Sequence, residues 1–405
     1  MKTIAVAGTF DTKGREYRYV KGLIEELGLN AYMIHTGVFQ PEFEPDISNQ
    51  EIARASGHDI DELARRKDRA LATRVLAEGM ERLIPKLYKE GKFDGILSFG
   101  GSGGTALVTP AMRALPIGVP KIMVSTMASG NVEQYVGTSD IVMMPSIVDV
   151  AGLNSISCTI FRNAVTAMAG MILLGESLKT EKREEKPLVA ATMFGVTTPC
   201  VSMAKDVLER NGYEVLVFHA TGTGGKTMEK LISEGYFQGV LDLTTTEWCD
   251  QVVGGVLAAG PDRCSAAVKQ GIPLVISTGA LDMVNFGPEE TVLPRFRERK
   301  LYRHNPSVTL MRTTVKENIE IAGKLAEKLN LVTGKAALLL PLLGISAIDA
   351  EGQPFYGPDE DLALFGELKA KIANPSVEII EIAAHINDEK FAVAAANKLI
   401  QLMKK

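Results

Sequence analysis

Residues 94–105 read DGILSFGGSGGT, an apolar run followed at once by a glycine-rich loop. A short apolar segment that ends in glycines is typical of a buried strand in a parallel sheet. Four glycines in the six positions 100–105 exceed what a turn needs, and a helical pattern begins directly afterwards. The segment therefore predicts a strand, a tight loop and a helix start, which is the repeating unit of an α/β fold.

The same alternation continues along the whole chain. Before this segment, strands are predicted at TIAVAG (3–8) and NAYMIHTG (30–37). After it, they are predicted at KIMVST, IVMMP, LVAATMFG, EVLVFHA, GVLDLTT, PLVIST, SVTLMRT, AALLLPL and VEIIEIA. A long charged helix is predicted from Asp59 to Leu87, and its segment DELARRKDRALATR (61–74) is interpreted as a solvated face. We predict an α/β protein with two doubly wound, mostly parallel-sheet, Rossmann- or flavodoxin-like subdomains.

The boundary between the subdomains is predicted at the charge run KTEKREEK, residues 179–186. This gives an N-terminal nucleotide-binding subdomain over 1–180 and a C-terminal subdomain over 187–405, in line with about 150 residues per domain. The segment GVPKIMVSTMASGNV (118–132) resembles GIPLVISTGALDMVN (271–285). An internal duplication explains this, but any two parallel-sheet domains share such patterns.

Composition excludes several classes of protein. Net charge is −5, which argues against a dedicated nucleic-acid binder. The four cysteines are scattered without paired spacing, so we expect reduced thiols and neither a disulfide framework nor a zinc site. The apolar stretch from Ala164 to Leu174 is interpreted as a buried helix too short to span a bilayer. With no signal-like N-terminus, we expect a cytoplasmic protein that does not bind membranes, and a homo-oligomer is plausible.

Candidate ligand-binding residues follow two strands of the first subdomain. Ligands of open parallel sheets bind beyond the carboxyl ends of the strands, and helix starts there favour anions. The loop GTFDTKG supplies hydroxyl, carboxylate and ammonium groups, although Thr9 or Asp11 could simply cap a helix. The loop GGSGGT supplies a backbone nest for phosphate, although it could be only a flexible turn. Cofactor-binding residues are predicted at Gly8, Thr9, Asp11, Thr12, Lys13, Gly100, Gly101, Ser102, Gly103, Gly104 and Thr105.

A third loop, STMASGN (125–131), is expected to line the same cleft through Thr126 and Gly130. Loops of the second subdomain differ, because they carry groups suited to acid–base chemistry or to binding a polar molecule. The catalytic candidates are His219, Glu247 and Asp282, with Asn285 as a further binding group. Structural alternatives exist for each of them: Asp282 as a helix cap, for example, and His219 as a partner of a neighbouring turn.

The segment HATGTGGKT (219–227) matches a relaxed phosphate-loop pattern, with Ala220 where the strict pattern has Gly. A working phosphate loop uses the lysine, here Lys226, on the phosphates and the next hydroxyl on Mg²⁺. No clear Walker-B strand accompanies the segment, since GVLDLTTTE places its Asp inside the strand. We therefore interpret it as a glycine-rich ligand loop and place the nucleotide in the first subdomain.

Several motifs in this order resemble the family of the tomato mosaic virus resistance protein and its bacterial relatives: AGTFDTKGRE, GGSGGT, PKIMVSTMASGNV, TMFGVTTPCV, FHATGTGG, LDLTTTE, GALDMVNFG and RTTVKEN. The resemblance runs from Thr3 to about Tyr356. It implies two α/β subdomains and ATP binding. In this family Arg-Ala usually follows HATGTGG, so the Lys226–Thr227 pair is a local variation. Some relatives carry or neighbour a TIM-barrel domain, so a barrel enzyme is a candidate protein partner.

Two functions fit these features. The first is an ATP-dependent metabolic enzyme, in which Lys13 offsets phosphate charge, Asp11 helps to place Mg²⁺, and a small polar substrate binds in the inter-domain cleft. The second is a nucleotide-binding interaction module without turnover. Binding of a phosphorylated metabolite other than ATP is also open, because loop spacing does not distinguish phosphate carriers. No resident metal site is predicted in the chain itself.

Overall fold

The computed structural model describes residues 1–175, Leu178 and residues 186–404. The chain forms two compact units, Met1–Arg183 and Glu184–Lys405. Except for Lys186, the charge run at residues 179–186 lies outside the described residues.

Unit 1 contains one five-stranded, fully parallel sheet. Its strands are β1 (Thr3–Gly8), β2 (Asn30–His35), β3 (Gly95–Gly100), β4 (Lys121–Ser125) and β5 (Val142–Pro145). Their order is β2-β1-β3-β4-β5, which is the doubly wound order of flavodoxin-like folds. All six residues of β3 are buried, as the apolar run at 95–100 predicts.

Helices cover both faces of this sheet. They are α1 (Gly14–Glu26), α2 (Asn49–Ala55), α3 (Ile60–Arg66), α4 (Arg69–Lys89), α5 (Ser102–Ala114), α6 (Glu133–Val136) and α7 (Ser155–Leu174). On α1, Tyr17, Val20 and Ile24 recur at helical spacing and are buried together with residues of α7 in one core. Residues of α2, α4 and α5 form a second core on the other face.

The long helix predicted from Asp59 to Leu87 is two helices. Lys67 adopts a left-handed conformation with φ of 52°, which ends α3. Asp68 then caps α4, because its carboxylate accepts the N–H of Leu71 at 3.0 Å. The prediction was wrong because a non-glycine residue at positive φ leaves little signal in the sequence.

Helix α7 extends well beyond the apolar stretch 164–174. With 20 residues it is long and apolar enough to cross a membrane, and among the described residues it alone meets that test of length and composition. However, Phe161, Val165 and Met168 lie in the unit 1 core. Core helices of soluble proteins have the same composition, so this helix is weak evidence for a membrane span.

Unit 2 contains a six-stranded parallel sheet. Its strands are β6 (Leu188–Met193), β7 (Glu214–His219), β8 (Gly239–Thr244), β9 (Leu274–Gly279), β13 (Ala336–Pro341) and β14 (Val377–Ile382). The order is β14-β13-β9-β8-β6-β7. In the reverse direction the order is β7-β6-β8-β9-β13-β14. Its first five strands follow the same connectivity as β2-β1-β3-β4-β5 of unit 1, and β14 is the additional strand. The predicted α/β class with two mostly parallel subdomains is confirmed.

The connections of unit 2 include a small antiparallel sheet of β10 (Met283–Phe286), β11 (Leu301–Asn305) and β12 (Val308–Arg312). SVTLMRT therefore pairs outside the main sheet. The helices are α8 (Thr198–Arg210), α9 (Thr223–Ser233), α10 (Glu247–Val253), α11 (Ala266–Gln270), α12 (Val315–Leu329), α13 (Pro358–Lys371) and α14 (Glu389–Met403). Short 3₁₀ turns lie at Gly195–Thr197, Glu289–Thr291 and Pro294–Phe296.

The packing of α2 on α4 depends on a glycine. A Cβ at Gly79 would lie 2.0 Å from the carbonyl oxygen of Ile52, whereas one at Gly170 on α7 meets nothing within 4 Å. We expect Gly79→Ala to lower the free energy of unfolding of unit 1 by about 1–3 kcal/mol through overpacking. Gly170→Ala should raise it by up to about 1 kcal/mol through helix propensity. Urea unfolding of both variants checks this, and equal effects would contradict the packing account.

Candidate functional site

The carboxyl ends of β1 and β3 open into one cavity of about 780 Å³. These two strands flank the point where the strand order reverses, which is where doubly wound sheets bind ligands. The structure brings most of the predicted cofactor-binding residues to this cavity. They are Gly8, Thr9, Asp11, Thr12, Lys13, Gly100, Gly101, Ser102, Gly103 and Gly104.

Two helix N-termini adjoin the cavity. Helix α1 begins after Lys13 and helix α5 begins after Gly101, and neither start has a side-chain cap. The first amide groups of a helix carry partial positive charge and have no partner within the helix. Uncapped helix starts of this kind favour anions, and here two of them lie beside one cavity.

Tyr17 holds the two strand ends in place. Its hydroxyl donates to the carbonyl oxygen of Phe99 at 2.5 Å and accepts the N–H of Phe99 at 3.3 Å. Burial raises the pKa of Tyr17, so the hydroxyl stays protonated. A Cβ at Gly8 would lie 1.9 Å from the tyrosine ring. Packing therefore requires glycine at position 8. The side chain of Tyr17, on α1, links Gly8 at the end of β1 to Phe99 at the end of β3.

The charged groups of the first loop are partly engaged by the protein. The ammonium of Lys13 donates to the carbonyl oxygen of Val150. Asp11 accepts the N–H of Phe39 through Oδ2 at 3.0 Å, while its buried Oδ1 has no hydrogen-bond partner among the described residues. A Cβ at Gly37 would lie 2.2 Å from that Oδ1. Asp11 therefore has one oxygen that is not used by the surrounding protein.

Thr105, Thr126 and Gly130 do not line the cavity. The Thr105 hydroxyl donates to the carbonyl oxygen of Gly101 at 2.8 Å and lies 2.6 Å from the hydroxyl of Ser125. Thr126 donates its N–H to the carbonyl oxygen of Gly100 at 3.2 Å. The N–H of Gly130 donates to the carbonyl oxygen of Met127 at 3.1 Å, which forms a turn within the loop. Their placement corrects the prediction that the loop at 125–131 would line the same cleft. The hydroxyl of Thr105 and the backbone of Thr126 instead support the glycine loop from behind.

Charged residues at the junction of α3 and α4 also border the cavity, which the sequence alone did not indicate. Lys67, Asp68 and Arg69 line the cavity and remain exposed, so the solvated charged face predicted at residues 61–74 is confirmed, and part of it borders the cavity. Arg69 lies over the glycine loop, because a Cβ at Gly103 would be 3.1 Å from its Nη2. The apolar part of the wall comprises Val38, Phe39, Leu63, Ala64, Leu76, Leu107 and Val108. The sequence pattern does not reveal that α3 ends at Arg66 and that α4 begins at Arg69, so the position of Arg69 at the cavity was not predicted.

In unit 2, the phosphate-loop-like segment is occupied by a carboxylate of the protein. Glu247 Oε1 accepts the N–H of Gly222 at 2.6 Å and that of Gly225 at 3.1 Å. A Cβ at Gly225 would lie 2.3 Å from Glu247 Oε2, so glycine lets this carboxylate approach. A phosphate would have to displace it. The glycines of HATGTGGKT thus accommodate an internal anion, and Lys226 is exposed.

Glu247 also pairs with a buried arginine. Arg263 Nε lies 2.6 Å from Glu247 Oε2, and its Nη1 and Nη2 lie 2.5 and 2.7 Å from the oxygens of Asp242. Burial acts to lower the pKa of Arg263, but the charges of Asp242 and Glu247 outweigh it and raise that pKa well above its ordinary value. This network gives Glu247 a structural role, which argues against its predicted catalytic one.

Asp282 is also fully buried. Its Oδ2 accepts the Ser346 hydroxyl at 2.8 Å, and its Oδ1 has no partner among the described residues. Burial, followed by the charge of Asp349, raises the pKa of Asp282 to about 7, while Arg312 opposes the shift. Asn285 is buried as well, and its side chain donates to Asp250 at 2.7 Å. Both groups lack access to solvent.

His219 is exposed at the end of β7, where its ring centroid lies 5.4 Å from that of Phe194. The structure therefore does not assemble His219, Glu247 and Asp282 around a common solvent-accessible point. In the part of the chain that is described, no group of three or more His, Cys, Asp and Glu residues has an arrangement that could hold a metal ion.

Family models match both units. The N-terminal domain of the uncharacterised protein family UPF0261 matches residues 2–177, and the C-terminal domain of the same family matches residues 186–403. The chain belongs to the UPF0261 family. A UPF0261 protein of Clostridium tetani (strain Massachusetts / E88) is 53% identical over 405 residues and covers 100% of both chains.

The ToMV resistance protein Tm-1(GCR237) of Solanum lycopersicum is 46% identical over 340 residues. The match covers 83% of this chain but 45% of the tomato protein. The relationship indicated by the motifs is confirmed, and ATP binding stays a prediction. A solved UDP-N-acetylglucosamine 2-epimerase from Rickettsia bellii covers 68% of this chain and 78% of its own at 9% identity, but its TM-score of 0.22 supports no argument.

The buried Asp282 of this UPF0261 chain predicts a pH dependence of stability. Its folded pKa of about 7 exceeds the unfolded value of about 3.9, so between these values the folded state holds a proton that the unfolded state has lost. This group therefore lowers the free energy of unfolding as the pH rises from about 4 to 7, by up to about 1.4 kcal/mol per unit.

Asp282→Asn removes this titration, so the decline should become shallower over the same range. Urea unfolding at half-unit pH steps, on wild type and variant, checks the difference between the two curves. Titrating groups that do not interact with Asp282 contribute equally to both proteins and cancel, so the difference reports Asp282 together with its neighbours Asp349 and Arg312. Parallel curves would show that Asp282 is ionised throughout in the folded protein.

Proposed function

We propose that unit 1 binds ATP, with its phosphates at the glycine loop 100–104. The observation that carries this proposal is the pair of uncapped starts of α1 and α5 beside one cavity. Amide groups at helix starts favour phosphate through both hydrogen bonding and the helix dipole. The absence of Cβ atoms along the glycine loop lets a phosphate approach the backbone closely.

Cationic side chains support the same assignment. Arg69 and Lys67 line the cavity, and Arg69 lies against Gly103. Arginine binds phosphate oxygens with a planar set of donors, and lysine binds them as a point charge. Lys13, by contrast, donates to the backbone of Val150, which fixes the loop. Arg69 therefore replaces Lys13 as the main candidate for offsetting phosphate charge.

The apolar wall suits a nucleobase. Ligand cavities that bind nucleotides combine a few polar groups with a largely apolar lining. The apolar side chains that line the cavity include Val38, Phe39, Leu63, Leu76 and Leu107. A volume of about 780 Å³ lies within the usual range of about 300–1,000 Å³ for small-molecule sites. This wall favours a nucleoside phosphate over a small phosphorylated acid.

Mg²⁺ would enter with the nucleotide. Magnesium is usually held by one or two carboxylates together with substrate phosphates, and a complete protein cage is not needed. Asp11 and Asp149 line the cavity, and Asp11 Oδ1 has no partner in the described chain. These carboxylates fit a supporting role for a metal that the phosphates bring.

Turnover of ATP with a small polar substrate, and docking of a protein partner such as a TIM-barrel enzyme, extend this proposal. A cytoplasmic location accords with the composition of the chain. None of these extensions is needed for nucleotide binding. ATP binding is therefore tested first and by itself.

Calorimetric titration of ATP with Mg²⁺ tests the site. Gly103→Leu adds a side chain to the glycine loop, where the nearest atom is the end of the flexible Arg69 side chain, so the fold should tolerate it. We expect ATP affinity to fall more than about tenfold, which corresponds to about 1.4 kcal/mol. Gly22→Leu on α1 is the matched control, because its Cβ meets nothing within 4 Å, and it should bind as wild type does.

Lys226→Ala separates the two loops. It should leave ATP binding unchanged, since Glu247 occupies the loop at 219–227. Loss of binding in Lys226→Ala with full binding in Gly103→Leu would place the nucleotide in unit 2. Failure of the wild type to bind ATP, with retained binding of a sugar phosphate, would favour a phosphorylated metabolite.

A further inference from the structure

A second depression, lined by residues of α4 and α5, adjoins the cavity at the ends of β1 and β3 (the nucleotide cavity). This groove has a volume of about 630 Å³. Its lining residues are Arg69, Ala70, Thr73, Arg74, Ala77, Ser102, Gly103 and Ala106. Four of them, Arg69, Thr73, Ser102 and Gly103, also line the nucleotide cavity, so the two spaces meet at the glycine loop.

The groove combines a floor of small residues with cationic flanks. On α4, Ala70, Thr73 and Ala77 recur at spacings of three and four and form one stripe along the helix. Arg69 and Arg74 lie on opposite sides of this stripe, as the helical repeat of 3.6 residues requires. Long cationic side chains thus border a shallow strip that small side chains leave open.

Among the described residues, Arg69 and Arg74 form no ion pair, whereas elsewhere on the helices of unit 1 Arg66 pairs with Glu62 and Lys21 pairs with Glu25. The first turn of α4 contains no acidic residue, and the carboxylate of its N-cap, Asp68, accepts the N–H of Leu71. The groove is therefore a place where two guanidinium groups and the hydroxyl of Ser102 can bind one anionic group.

We infer that this groove binds the oxyanion of a second small ligand, a carboxylate or a phosphate ester, next to the terminal phosphate of the nucleotide. The position relative to the nucleotide rests on the proposed function, but the anion site itself does not. Arg69 contributes to both spaces, because it lines the cavity and the groove. Arg74 contributes to the groove alone.

Because Arg74 lines the groove and not the nucleotide cavity, a substitution of Arg74 tests the groove selectively. Arg74→Ala removes one flank of the groove without changing the residues that line the nucleotide cavity. Arg82→Ala is the control, because Arg82 is an exposed arginine of the same helix that lines neither space and donates only to the carbonyl oxygen of Ala55 at 3.2 Å among the described contacts. Arg74→Lys keeps the charge and loses the planar donor set, so it should fall between wild type and Arg74→Ala.

The test is a calorimetric titration of the full-length chain with inorganic phosphate and, separately, with malonate. It is done without nucleotide and with a saturating non-hydrolysable ATP analogue that occupies the cavity. We expect binding of at least one anion in the presence of the analogue, weakened about tenfold by Arg74→Ala and unchanged by Arg82→Ala. Tighter binding of phosphate would identify the ligand as a phosphate ester, and tighter binding of malonate would identify it as a carboxylic acid.

The outcomes separate this inference from the proposed function. If ATP binds but neither anion binds, or if Arg74→Ala and Arg82→Ala behave alike, the groove is not an anion site. If ATP does not bind but anion affinity falls in Arg74→Ala alone, the nucleotide proposal fails and the groove assignment stands. Loss of ATP affinity in Arg74→Ala would show that the groove is part of the nucleotide site, which overturns a second ligand.

Discussion

The site in unit 1 depends on the packing of one tyrosine against one glycine. The ring of Tyr17 occupies the space where Gly8 would carry a Cβ, and its hydroxyl exchanges two hydrogen bonds with the backbone of Phe99. These contacts connect the last residue of β1 with the end of β3 through the first turn of α1. Because both loops that line the cavity begin at these strand ends, their separation is set by a buried side chain.

The two units show how one topology gives different chemistry. In unit 1 the strand ends at the reversal point of the sheet border an open cavity. In unit 2 the corresponding loops are joined by hydrogen bonds, with the hydroxyls of Thr197 and Thr244 2.8 Å apart. The buried ion pairs of Arg263 and Asp242 lie beside them. Glu247 and Asp282, which suggest acid–base chemistry in the sequence, are buried and bonded within the protein, whereas His219 is exposed.

The sequence was sufficient for the architecture and for most of the cavity lining. Apolar strands that end in glycines predict parallel sheets, and the reversal rule then predicts where their loops meet. Arg69 escaped prediction because the chain turns at Lys67, a residue type that gives no warning of positive φ. Glu247 was singled out, but its contact with the glycine loop was not predicted, because the carboxylate is distant in sequence from the glycines it binds. Burial of Asp282 likewise depends on β12 and the loop at Ser346.

The most direct test of the account is a crystal structure of the chain with Mg²⁺ and a non-hydrolysable ATP analogue. The account predicts phosphate oxygens within hydrogen-bond distance of the amide groups of Ser102 and Gly103, with Arg69 beside them. Glu247 should keep its bonds to Gly222 and Gly225. Phosphates bound at residues 219–227, with Glu247 displaced, would contradict the assignment of the nucleotide to unit 1.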